Sequence, residues 1–158
     1  MAEKDQGSRQ EELPLSQAAQ HLLEECRMVL PGIQALFGFQ LIAVFNDGFS
    51  SKLQDPEQYF HLGAIVLVAV AMALVIAPAA YHRQALPKTV TAHFLALSSR
   101  LLLWSMFPLA LGVTMDFYLI ARIITRHESI AAGLSALLLI LFFGLWLVLP
   151  WSHRRRRQ

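Results

Sequence analysis

Charge is scarce in this sequence: Asp, Glu, Lys and Arg make up 15% of its 158 residues, against about a quarter in an ordinary soluble domain. The 56% that is hydrophobic is gathered into long runs, with the charges left in blocks between them, which excludes a soluble globular class and points to a membrane protein. Cysteine is almost absent. Cys26 stands alone, so neither an intrachain disulfide nor a cysteine-based metal cluster can form. The opening MAEKDQGSRQEELPLSQ lacks the basic-then-apolar order of a cleaved signal peptide, so entry through the chain's own first span is expected. Catalytic signatures are missing too: there is no HExxH pair, no GxSxG elbow and no phosphate-cradling glycine loop, and connections no longer than about 13 residues leave no room for a soluble active site. The expectation is a protein that is not an enzyme and carries no cofactor and no metal.

What is present is a set of apolar runs long enough for a hydrocarbon core about 30 Å thick. Residues 1–14 read as a disordered polar tail ending in Pro14. Over 15–27, Leu15, Ala18, Ala19, Leu22 and Cys26 recur at helical spacing and continue to Val29 and Ile33, opposite Gln17, Gln20, Glu24 and Arg27. That segment reads as an amphipathic interfacial helix. Four spans follow, over 28–45, 60–80, 100–120 and 129–151, and 152–158 form a basic tail. The fold expected is therefore all-α: an integral membrane bundle of four transmembrane helices preceded by an interfacial helix. In the second span Ala69, Ala73 and Ala77 fall at i, i+4 and i+8, a small-residue row expected to meet another helix.

The net charge of +2 hides a segregated distribution. An even number of spans puts both termini on one side, and with that side cytoplasmic ten of the thirteen cations (Lys4, Arg9, Arg27, Arg83, Lys88, Arg100, Arg154, Arg155, Arg156 and Arg157) lie inside. Directly after an apolar span, Arg154 to Arg157 read as anchors for anionic lipid head groups rather than as a nucleic-acid site.

Polar residues inside the spans are the candidates for function. Asp116 is the single acidic residue within a span, placed about one turn from its outer end, where it could pair with Arg122 or hold an ion or proton. With Ser98, Ser105, Pro108 and Gly112 it falls on one arc that should face protein. Gln34 and Gln40 are the other path candidates. Gln20, Glu24, Arg27, Pro31, Gln34 and Gly38 form one stripe, which places Gln34 on the protein-facing side, while Gln40 is turned about 120° away and calls for a second contact surface in a neighbouring subunit. Pro31 and Gly32 mark a hinge between the interfacial helix and the first span, and Pro108 a kink in the third. Glu25, Arg27, His82, Arg83 and Arg100 gather at the inner side, where Glu25 can meet His82 and Arg83. Histidines near both ends, His82 with His93 and His61 with His127, superficially resemble axial pairs for b-type haem but sit at span ends, where ordinary interfacial histidines are expected.

Glu25-Cys26-Arg27 followed by LPGIQALFGF, then APAAYHR over Ala77 to Arg83 and a basic residue at Arg100, resembles the small bacterial four-helix membrane proteins grouped as a family of unknown function. The resemblance runs from about Leu22 to Gly112 and implies a four-span fold in a bacterial inner membrane, with no established activity. The sodium:proton antiporter label that some members carry would call for paired acidic groups, and this chain has one intramembrane carboxylate. A single four-span monomer encloses little beyond its own side chains. The leading expectation is thus a homo-oligomer that handles ions or protons, using Gln34, Gln40 and Asp116 along a narrow path. The alternative is a structural or regulatory membrane protein that binds anionic lipid or a partner protein.

Overall fold

The computed structural model describes residues 14–85 and 90–148. Among them there is no strand. Four helices are long and apolar enough to cross a membrane. Helix α1 runs over Leu15–Val44, a one-turn α2 over Phe49–Lys52, α3 over Asp55–Ala85, α4 over Ala92–Thr125 and α5 over Glu128–Phe143. The last turn of α5 widens into a π-helical stretch at Gly144–Val148. Each long helix is followed by one running the opposite way, so the bundle has an Asn46 end, which holds the α1–α3 and α4–α5 connections, and an Arg27 end.

Local chemistry sets several of the boundaries. Pro56 suits a first turn, where its missing N–H is no loss, and Glu57 accepts the Gln54 backbone N–H at 2.7 Å, half of a capping box. The Thr91 hydroxyl accepts from the Phe94 N–H at 3.2 Å and starts α4. Phe94 is then fully buried and stacks on Tyr81 at the end of α3, ring centroids 6.0 Å apart. Arg126 closes α4 in the left-handed conformation (φ 57°), its N–H on the Arg122 carbonyl at 2.9 Å.

The most extensive packing is between α3 and α4; α1 lies against both, and α5 lies on α4. The buried face of α3 is Ala64, Val68, Ala71, Val75 and Pro78, at alternating spacings of four and three. Of the small-residue row expected to meet another helix, Ala69 and Ala77 are half-buried and Ala73 is exposed, so the row is not the main buried face of α3. The close approach instead belongs to Gly112 of α4. A Cβ there would stand 2.8 Å from Val68 Cγ2 and 3.0 Å from the Ala64 carbonyl oxygen, so only glycine lets the two backbones meet. On α5 the buried residues are also small, Ala131 and Ser135, while Leu137 and Ile140 stay about two-thirds exposed at 64% and 67%, as lipid-facing side chains do.

Helix α1 passes without interruption through Pro31 and Gly32, joining the segment read as interfacial to the first span. Its buried residues, Ala19, Leu22, Cys26, Ile33 and Gln40, keep one face along the whole length. The core between α1 and α3 is built from Leu22, Cys26, Ile33, Val68 and Val75. That continuous apolar face explains the continuity: both halves of α1 bury the same stripe against the same neighbours, and the hydrogen bond missing at Pro31 costs less than breaking that packing.

Candidate functional site

Three polar side chains from three helices meet toward the Asn46 end. His61 on α3 directs Nδ1 to the Asp116 carboxylate at 2.7 Å and Nε2 to the backbone carbonyl of Gln40 at 3.2 Å. The Gln40 side chain then donates from Nε2 to the other carboxylate oxygen at 2.6 Å, closing a ring of hydrogen bonds across α1, α3 and α4. The side chains of His61 and Asp116 are 8% and 14% exposed, so bulk water screens their interaction little.

The proton inventory follows from the acceptors. Nε2 faces a carbonyl and must carry a hydrogen; Nδ1 and the facing carboxylate oxygen hold one more between them. Whether that proton is written on the ring or on the carboxyl group, the pair is net neutral and shares a single proton in a buried hydrogen bond. Gln40 Oε1 is buried and accepts no hydrogen bond among the described residues, nor does Thr114 Oγ1 two residues from Asp116. Gln40, His61 and Asp116 form the polar part of a cleft of about 380 Å³ whose walls include Leu36, Phe39, Leu119 and Ile123 and whose rim is Asn46, Gly48 and Lys52. Phe49 of α2 lies beside the His61 ring, centroids 5.4 Å apart. Toward the Arg27 end the site is backed by the tight Gly112 contact with Ala64 and Val68.

Several sequence expectations change here. Asp116 does not pair with Arg122, which instead meets Glu57 of α3 and Glu128 of α5, the latter at 3.0 Å. The helix also continues nine residues past Asp116 to Thr125, about 13 Å at 1.5 Å per residue, so the carboxylate lies deeper than one turn. Gln40 is 4% exposed and its side-chain amide donates to Asp116 of its own chain, so it faces the bundle interior and not a neighbouring subunit. Gln34, expected to face protein, is exposed, as are Gln20, Glu24, Arg27 and Pro31 of the same stripe, because that stripe lies opposite the face α1 buries. His61 is no interfacial histidine, and with both ring nitrogens engaged it has none free for a haem iron. His93 and His127 are exposed, and the His82 ring packs on Phe94, centroids 5.4 Å apart.

Of the inner cluster, Arg27, His82 and Arg83 line one groove, while Glu25 makes no ion pair among the described residues and Arg100 is exposed on the third turn of α4. Pro108 lies within α4 in a half-buried position, and the predicted arc of Ser98, Ser105, Gly112 and Asp116 does face protein. Arg154, Arg155, Arg156 and Arg157 lie outside the described residues. No three His, Cys, Asp or Glu side chains come together as a metal-ligand set among the described residues.

His61 is the residue that sequence reasoning places at a span end beside His127, missing that it faces inward. It opens the series His61, Ala64, Val68, Ala71, Val75, Pro78, and that spacing is the signal that it faces inward. Gln40 likewise completes the seven-residue series Cys26, Ile33, Gln40.

Comparison of the chain with curated proteins and with solved structures finds no match. Residues 10–150 match DUF6328, described as a family of unknown function, so the chain, with its four helices able to span a membrane, belongs to that family.

Proposed function

We propose that this membrane protein handles protons, with the His61–Asp116 pair as the proton-binding site and Gln40 as the group that holds it. The observation that carries the reading is the buried hydrogen bond between two titratable side chains at the end of an accessible cleft. Such a bond can release its one mobile proton toward the cleft and take it back, and burial makes the charge state of the pair matter to the helices around it. Gln40 Nε2 stabilises the carboxylate once the proton leaves. The Gly112 contact closes the other side, so transfer across the membrane requires α3 and α4 to move apart there.

The basic residues support an orientation with the Asn46 end outside and both termini in the cytoplasm of a bacterium, the cleft then facing the exterior. The reading is of a non-enzymatic homo-oligomer. Gln34 supports the oligomer, since an exposed amide within a span is costly against lipid and is satisfied by the same residue of a second copy.

The test is proton flux into proteoliposomes that hold a pH-sensitive dye, under an imposed potassium diffusion potential. Wild type is expected to exceed empty vesicles, Asp116→Asn to match them and Arg100→Gln to match wild type. Wild-type flux at the empty-vesicle level overturns the proposal and leaves the cluster a structural tie, a role favoured by its joining three helices.

A further inference from the structure

A second concavity, of about 490 Å³, lies between α1 and α3 near the Arg27 end, away from the proton site. Arg27 of α1 and His82 and Arg83 of α3 line its mouth, the end toward the C-terminus of α3. Neither arginine makes an ion pair among the described residues; the pairs that form are His21–Glu24, His61–Asp116, Arg122–Glu57 and Arg122–Glu128. Below the mouth the walls are Leu30, Val75, Ile76 and Ala79. Val75 lies eight residues from Arg83 along α3, about 12 Å, so the groove descends from a cationic rim into the apolar depth of the span.

A ligand that matches this surface carries an anion at one end and hydrocarbon at the other. Free phosphate would satisfy only the rim, and a soluble acidic peptide would leave the apolar walls against its backbone. The nearby acids do not neutralise the rim: Glu24 leans to His21 at 3.8 Å, and Glu25 is not among the groove's lining residues. We propose that the groove binds one anionic phospholipid, its phosphate held between Arg27 and Arg83 and the upper part of an acyl chain lying along Leu30, Val75 and Ile76. Guanidinium forks suit phosphate oxygens, and a lipid so placed bridges α1 to α3 beside the buried Cys26.

The experiment is native mass spectrometry of the full chain in an uncharged detergent, titrated with phosphatidylglycerol, with phosphatidylcholine of the same chains, and with inorganic phosphate as competitor. The wild type is expected to retain one phosphatidylglycerol in preference to phosphatidylcholine. The double variant Arg27→Gln, Arg83→Gln should weaken that binding about tenfold, as loss of charge-assisted contacts does. Ala79→Phe, which fills the apolar part and keeps both arginines, should weaken it as well, and Arg100→Gln should leave it unchanged. Circular dichroism and monodisperse elution check that each variant is folded. Binding by the double variant as tight as wild type, an equal loss in Arg100→Gln, or displacement of the lipid by inorganic phosphate overturns the proposal.

Discussion

Gln40 contributes twice to one site: its carbonyl accepts from His61 and its side-chain amide donates to Asp116. Replacing it with leucine keeps the backbone contact and removes the donor, leaving one carboxylate oxygen buried without a partner. Such a loss costs about 1–3 kcal/mol, so Gln40→Leu should unfold at lower temperature than wild type in the same detergent. Gln34→Leu, at an exposed position on the same helix, leaves the Asp116 hydrogen bonds in place and should lower the unfolding temperature of the monomer less. The contrast between the two glutamines was in reach of the sequence. Cys26, Ile33 and Gln40 repeat every seven residues on the apolar side, while Gln34 belongs to the stripe of Glu24, Arg27 and Pro31. An amide in the middle of a span draws attention as polar before its place on the buried series is counted. Asp116 was legible as a lone acid; its partner was not, because pairing depends on which residue of another helix arrives opposite, and Arg122 was nearer in sequence than His61.

At the scale of elements, periodicity and span length located the four apolar helices, and the loop prolines and small polar residues located the connections. The ends were less legible. A hydropathy window stops where charge begins, whereas Asp55 and Glu57 sit in the first turn of α3 and Arg122 in the last turn of α4, where they suit the helix dipole and its free backbone groups. Those extra turns sink the His61–Asp116 pair into the bundle. At Pro31 the helix stays continuous, since the packing on either side of it outweighs one lost hydrogen bond. The end of α4 carries a local strain of its own: Arg126 adopts φ 57°, a conformation that costs an ordinary side chain about 1–2 kcal/mol and costs glycine little. Arg126→Gly should therefore raise the unfolding temperature, by the equivalent of about 0.5–1 kcal/mol once the greater freedom of glycine in the unfolded chain is subtracted. An unchanged or lower temperature would mean that the arginine side chain stabilises the turn in another way.

For the whole molecule, α3 and α4 form the fixed pair, with α1 set against both and α5 against α4. The face of α1 that carries Pro31 and Gln34 is left open. If a second copy covers it, Gln34→Leu should shift the protein toward the monomer in detergent, read by light scattering coupled to size-exclusion chromatography; an unchanged mass would place the oligomer contact elsewhere or remove it. The central claim is that the buried pair exchanges its proton with the solution. Infrared difference spectroscopy of the protein in lipid, recorded between acid and alkaline buffers, reads this directly at the carboxyl group. The account predicts a carboxyl band that changes with pH in wild type and disappears in Asp116→Asn. Identical difference spectra for the two proteins would contradict it.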